Sequence, residues 1–331
     1  VPYACGFKQA YGGSGGPGAL FHALRNIHVI LSIAKDIERT CPSAFVLNFS
    51  NPESRVLYAL STLTELNSIG LCHGQHDALQ AICQMLKKTE DDIDITGGGI
   101  NHLFWLHEIK ERKTGKDLYP SLREAAAKNK NQEFTLPKKL LEIYGMLTYP
   151  DNTHAGEYFS FGAEYMKNKW VHGLESRGIN DGHKSEIDLL APYINGEKPL
   201  SEISISSREV VIPMIVAHSK NARARFISAN VMNEGLYVPN VMADGIIEVP
   251  VEVDGSGVHP QTIPALPEGV AAFVRTQMAI QKLTVLAYKE KSKNLLLQTL
   301  LLEPTVNSIS NAEALIDEML ELQKDYLPKF A

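Results

Sequence analysis

Residues 44–52 read Ala44-Phe45-Val46-Leu47-Asn48-Phe49-Ser50-Asn51-Pro52, and the fold is decided here. The apolar run after Cys41-Pro42 is too short for a buried helix and is read as a buried strand. Asn51-Pro52 then opens a helix predicted over 52–66, because Asn is a favoured cap and Pro a favoured first helical residue. Upstream, 18–40 carries Leu20, Leu24, Ile27, Leu31 and Ala34 near helical spacing. Downstream the alternation repeats: a strand at 68–72, a helix at 77–88, and a strand at 93–96 that ends in Gly97-Gly98-Gly99. Such alternation implies a parallel sheet with helical crossovers.

The predicted fold class is therefore α/β, with residues 1–100 forming the second half of a Rossmann-like doubly wound sheet. The regular alternation stops near Asn101. Beyond it the patterns predict a strand at 103–108, helices at 122–130 and 137–144, and a loop-rich middle over 149–182. A helix at 208–217, kinked by Pro213, strands at 225–231 and 245–253, and helices at 269–290 and 311–326 complete an α+β second part over 101–331.

Composition narrows the function classes. Of 331 residues, 44% are hydrophobic and 21% charged, an ordinary soluble profile that implies a sizeable core. A net charge of -6 provides neither a basic stripe for nucleic acid nor a polybasic membrane patch. The apolar runs are too short to span a bilayer, and no secretory signal opens the chain. Cys5, Cys41, Cys72 and Cys83 form no CxxC pair, which suits a reducing cytosol, so a cytoplasmic location is expected. The opening Val1 is read as a chain trimmed at its amino end.

Gly13-Ser14-Gly15-Gly16-Pro17-Gly18 literally matches G-x-G-x-x-G ahead of a helix. The dinucleotide fingerprint also needs a strand before the loop and an acid after the next strand. Residues 6–11 make a poor strand, and the next strand ends in Asn48-Phe49-Ser50-Asn51. The stretch is therefore read as a loop that lets backbone approach a ligand, or as a flexible turn.

Three segments close the inferred parallel strands: Asn51-Pro52, Cys72-His73-Gly74 and Gly99-Ile100-Asn101-His102. Ligands of open α/β sheets bind at those ends. Cys72 and His102 would together suit a transition metal with open positions for substrate oxygens. Either residue alone is more often a core thiol or a satisfied core histidine.

In order and spacing, Leu47–Pro52, Gly70–Gly74 and Gly99–Trp105 resemble the signature of glycoside hydrolase family 4. The resemblance continues through Gly15–Gly18 with Ala23-Leu24-Arg25, through Tyr144-Gly145 to His154-Ala155-Gly156-Glu157-Tyr158, and through Asn233-Glu234-Gly235, Ile247–Val251 and Gly257–Pro260. It implies a partial NAD-binding domain over 1–100 and a substrate and metal domain over 101–331, similar to the carboxy-terminal domain of lactate and malate dehydrogenases.

The family is an exception to two-carboxylate glycosidases. The resemblance implies that NAD takes hydride from sugar C3, a base removes the C2 proton, the aglycone leaves C1, water adds, and the hydride returns. A divalent metal, usually manganese, would bind the C2 and C3 oxygens, with Cys72 and His102 as its protein ligands. His73 becomes a candidate acid for the leaving aglycone, and Asp151 or His154 the base. Relatives tend to carry the acid two positions before the histidine, where this chain has Asn152. Glu157 and Tyr158 are reserve candidates. Asn51, Asn101 and Arg25 become candidate sugar or cofactor contacts.

Cys-His after the second strand, where phosphosugar-specific members carry Asp or Asn, favours unphosphorylated α-galactosides or α-glucosides, with α-glucuronides or α-galacturonides second. A homodimer or homotetramer is expected. With the family's first strands and ribose-binding acid not visible before Val1, the strands at 44–49 and 68–72 are expected to have an uncovered neighbour edge, and NAD binding to be weak. Two other readings compete: an NAD-dependent dehydrogenase of the malate or lactate type, and a non-catalytic oligomer partner.

Overall fold

The computed structural model describes residues 1–166, 188, 190–200 and 210–331. It divides into two compact units, Val1–Tyr165 with Val210–Ala331, and Met166–Glu209. In the second unit, residues 190–194 form a helical turn, and Lys198 Nζ lies 5.6 Å from the Tyr193 ring centroid. The expected helix at 208–217 and the loop-rich middle lie partly outside the described residues.

The first unit holds one mixed sheet of β1 (Phe45–Asn48), β2 (Asn67–Gly70), β3 (Ile93–Ile100), β4 (Leu103–Glu111), β5 (Ala224–Met232), β6 (Ile246–Asp254) and β7 (Gly257–Pro260). The strand order is β1-β2-β5-β6-β3-β4, with β7 on β6. The α/β class holds, and β1 and β2 are parallel, from Phe45↔Asn67 to Asn48↔Gly70. The third expected parallel strand is not. β3 runs through the glycine triplet to Ile100 and turns over Asn101-His102 into β4, from Ile100↔Leu103 to Ile93↔Glu111. A two-residue turn can join only antiparallel neighbours. β5 and β6 stand between β2 and β3; β5 meets β2 at Gly70↔Asn230, while β1 ends the strand order with β2 as its one neighbour among the described strands.

Ten described helices surround the sheet: α1 (Gly16–Thr40), α2 (Glu53–Leu63), α3 (Gly74–Leu86), α4 (Tyr119–Lys128), α5 (Thr135–Tyr144), α6 (Asn152–Gly156), α7 (Val211–Ser219), α8 (Glu268–Glu290), α9 (Lys293–Leu302) and α10 (Ile309–Leu322). In α2, Pro52 takes the cap position after a cis Asn51-Pro52 peptide, and Asn51 is not the cap. Pro213 falls in the first turn of α7, where a missing N–H leaves no helical bond unmade, so no kink is needed. β7 and α9 had no clear sequence signal.

α2 packs against α1, α8 and the face of β2, β5 and β6. That face carries an unusual polar row. Gly70 pairs with Asn230, Asn230 with Glu248, and Glu248 with Gly99. A Cβ on Gly70 would meet Glu53 Oε1 at 1.5 Å, so glycine there makes room for the first acid of α2. The main core, including Trp105, Tyr158, Phe159, Val249 and Met278, packs around this row. All four cysteines are free, and among the described residues no helix is long and apolar enough to cross a membrane.

Candidate active site

The β3–β4 turn supplies the first element. His102 sits at φ 64°, in the left-handed region, and is buried. That conformation costs about 1 kcal/mol in a non-glycine residue and is held by the pairs on either side. Burial is the main cause that lowers the His102 pKa to about 3, with the nearby His154 adding to the effect, so the imidazole is neutral. Its Nδ1 is buried with no hydrogen-bond partner. In the neutral ring such a nitrogen is free to accept a hydrogen bond or a metal ion.

Cys72 follows β2. Burial of its sulfur, with the Glu248 carboxylate adding, pushes the thiol up to about 12, against a partial counter-effect from the Gly74 backbone and the Asn101 side chain. A group that binds Cys72 as thiolate must therefore bring positive charge. Tyr149 ties the two candidates together. Its ring lies 5.3 Å from that of His102, and a Cβ on Gly74 would meet it at 2.8 Å. Proximity of Cys72 also raises the Tyr149 pKa, after burial and Asp77.

α6 supplies the next element. Asp151 caps it, accepting the His154 N–H at 2.8 Å, and its Oδ2 lies 2.7 Å from His154 Nδ1. The His154 ring stacks on Tyr149 at 4.2 Å and meets His102 edge-on at 4.9 Å. Burial would lower the His154 pKa, but the hydrogen bond and charge of Asp151 outweigh it and the net shift is upward. Burial likewise raises Asp151, and the bonds from His154 more than reverse that. Each partner thus favours the charged form of the other. Asn152, the neighbouring candidate for the acid, turns away: its Oδ1 accepts the Leu136 N–H at 2.8 Å.

His73 Nε2 stands 3.7 Å from Asp77 Oδ2, and the Tyr149 hydroxyl donates to the same carboxylate at 3.0 Å. Asn101 is buried, and its carbonyl accepts from Tyr158 at 3.0 Å. Cys72, His73, Asn101, His102, Asp151 and His154 thus form one cluster. Asn51 and Arg25 do not join it. Asn51 is exposed and its carbonyl accepts from Asn26, while Arg25 lies half-buried on α1 with its pKa lowered by burial. Pro52 shares a small polar cavity with Asn101, Ser54, Arg55 and Tyr158.

Several members had not been singled out from sequence. Asp77 lies one helical turn from His73, and Tyr149 two residues before Asp151. Glu248 breaks the apolar run Ile246-Ile247-Glu248-Val249, which was the signal available for it. Burial pushes its carboxyl up to about 7, and although Ser228 and Gln75 oppose the shift, neither comes within hydrogen-bonding geometry of its oxygens.

The glycine loop at 13–16 has a different role from phosphate binding. Glu157 accepts the N–H groups of Gly13 at 2.8 Å and of Ser14 and Gly15 at 3.0 Å. Glu303 accepts that of Gly16 at 3.1 Å and pairs with Arg55 at 2.6 Å. The ligand that this backbone approaches is the chain's own pair of buried carboxylates.

A sulfur, a partnerless imidazole nitrogen and an acid–histidine pair thus gather at the ends of β2 and β3 and the start of α6. The family comparison is specific. Residues 1–88 match the model of family 4 glycosyl hydrolases and residues 98–306 that of the family's C-terminal domain, so the chain belongs to glycosyl hydrolase family 4. It is 28% identical to an α-glucosidase of Erwinia rhapontici over 370 residues, covering 99% of this chain and 78% of that protein. It is also 28% identical to an α-galactosidase of Bacillus subtilis over 345 residues, covering 100% and 77%. A solved 6-phospho-α-glucosidase from gut microorganisms, in complex with NAD and Mn2+, has the same fold, with a TM-score of 0.82 at 23% identity over 96% of this chain and 76% of that one.

Proposed function

We propose that this chain is the catalytic part of an NAD- and manganese-dependent glycosidase acting on unphosphorylated α-glycosides. The observation that supports the reading is the partnerless His102 Nδ1 beside the Asp151–His154 pair, with Cys72 approaching the same Tyr149 and Asn101. The soft sulfur and neutral imidazole fit a borderline divalent metal as two protein ligands, which leaves room for sugar oxygens. Residues 1–100 are assigned to the cofactor side, with Asn51-Pro52 at the end of β1 facing it, and residues 101–331 to the sugar. Bound NAD and Mn2+ supply hydride acceptance at C3 and polarisation of the C2 and C3 oxygens.

The chain's own groups do the rest. Asp151 orients the His154 ring and fixes its Nδ1, which leaves Nε2 for a substrate proton. His154 acts as the C2 base from its neutral form, with Nδ1–H held by Asp151 and the lone pair on Nε2. His73, at the mouth beside Asp77, protonates the departing oxygen. Asn101, buried beside Cys72, orients the sugar. Tyr149 walls the site and excludes water.

Two features favour an uncharged sugar over a phosphosugar. His73 follows Cys72 in place of Asp or Asn, and the loop N–H groups and Arg55 are already neutralised by Glu157 and Glu303. The uronides rank second for the same reason. The test is a comparison of aryl α-galactoside, aryl α-glucoside, α-glucuronide and 6-phospho-α-glucoside with NAD and Mn2+. The highest kcat/KM is expected on an uncharged α-glycoside. Preference for the phosphorylated one would overturn the substrate assignment, and NADH accumulation without cleavage would favour a dehydrogenase. The proposed homodimer or homotetramer is checked by light scattering, where a monomer at micromolar concentration would contradict it.

A further inference from the structure

The loop at 11–16 and helix α6 are far apart in sequence, yet a single side chain joins them. Glu157, which follows α6, is 1% exposed. Its Oε1 accepts the Gly13 N–H, and its Oε2 accepts those of Ser14 and Gly15. Ser14 and Gly15 are buried, so no water is at hand to replace these bonds. The contact is also tight in backbone terms. A Cβ on Gly15 would lie 2.8 Å from Glu157 O.

Each side of this junction carries one wall of the candidate site. On the loop, Tyr11 places its ring 6.2 Å from that of His154. On α6, three residues before Glu157, the His154 ring stacks on that of Tyr149 at 4.2 Å. The position of Tyr11 relative to His154 therefore depends on where the loop meets α6, and three hydrogen bonds to one side chain set that meeting.

We propose that Glu157 is a positioning residue: its carboxylate, by taking three successive N–H groups of residues 13–15, fastens the Tyr11 loop to α6 and so fixes the Tyr11–His154–Tyr149 arrangement. The inference rests on the reading of His154 as a proton-transfer residue. The side chain must be glutamate. Aspartate is one methylene short of the loop. Glutamine keeps one oxygen acceptor, but turns an NH2 donor toward N–H donors that it cannot accept.

The experiment uses E157Q and E157D in the whole chain, with two readouts. Amide exchange of residues 11–16 is followed by mass spectrometry without substrate, NAD or metal. Both variants are expected to speed it at least tenfold, while the β3–β4 hairpin exchanges as before. Glycoside turnover is then compared as kcat against KM, with a tenfold or greater loss in kcat and little change in KM. Unchanged exchange would overturn the fastening. Faster exchange with unchanged kcat would reduce Glu157 to a packing residue and overturn the positioning role. H154N separates this inference from the reading beneath it: if H154N keeps its activity, the role of His154 fails while the exchange result still stands or falls alone. A variant that fails to fold is replaced by G15A, which forces the loop off Glu157 from the opposite side and carries the same two expectations.

Discussion

Two stretches of this chain are rich in glycine, and they use it for opposite reasons. At 12–18, glycine exposes backbone N–H groups, and two buried carboxylates approach them, Glu157 at Gly13, Ser14 and Gly15, and Glu303 at Gly16. At 97–99, inside β3, glycine makes room for neighbours. A Cβ on Gly98 would meet Ile263 Cδ1 at 2.2 Å, and one on Gly99 would meet the Leu103 carbonyl oxygen at 2.4 Å. One stretch offers hydrogen bonds and the other offers space. A glycine pattern therefore identifies a ligand only once the occupant of the vacated volume is known.

The largest expected effect lies in the strand. Gly99 has φ +151° and its obstacle is backbone, so G99A should destabilise by about 3 kcal/mol or more in urea unfolding. G98A meets chiefly the end of the Ile263 side chain, with the Glu248 backbone oxygen at 3.2 Å, and should cost about 1 kcal/mol. Equal effects at the two positions would break the packing account of this stretch. In the loop, G15A should cost about 2 kcal/mol, because displacement of the loop leaves buried donors and a buried carboxylate unpaired. A loss of less than about 0.5 kcal/mol would show the loop to be a plain turn.

A pH measurement sharpens the contrast, because only the loop uses a titratable partner. Burial pushes Glu157 up to about 7, with the three N–H groups and His154 pulling the other way. A carboxyl whose folded pKa exceeds its unfolded value stabilises fully below about 4.5. That contribution is lost as pH rises toward 7. Glu248 titrates over the same window, so the quantity to read is the stability difference between wild type and E157Q. Relative to E157Q, the wild type should weaken from pH 4.5 to 7 and then level off. A difference that does not change with pH would contradict the assignment. A small effect on stability, about 1 kcal/mol, is expected from C72S, which puts a more polar hydroxyl where a buried sulfur stood. Its manganese affinity by calorimetry should nevertheless fall at least tenfold, and unchanged affinity would remove Cys72 from the metal site.

The sequence carried much of this in local patterns. The apolar run at 44–49, the Asn-Pro after it and the spacing in 18–40 led to β1, α2 and α1 within a few residues. The glycine triplet misled, because glycine usually ends a strand, whereas here Ile93–Ile100 continues through it to meet Phe104 and Leu106 of β4. Sheet order was not legible, since β5 enters between β2 and β3 from more than 120 residues further along the chain. At the site, Cys72, His102, Asp151 and His154 stood out by residue type and motif. Tyr149, Asp77 and Glu248 did not, because Tyr149 and Asp77 meet across 72 positions and Glu248 acts on Cys72 from a strand far along the chain. The identity of the loop's anion was hidden for the same reason, with 142 positions separating Gly15 from Glu157.

The central claim is that the Cys72–His102 pair and the Asp151–His154 pair serve a reaction that breaks C–H bonds of the sugar. A substrate carrying deuterium at C2 tests this directly. With NAD and Mn2+ present, the product should have exchanged that deuterium for solvent hydrogen, as seen by NMR, with no accumulation of NADH and no turnover when NAD is left out. Full retention of the label with turnover independent of NAD would contradict the account.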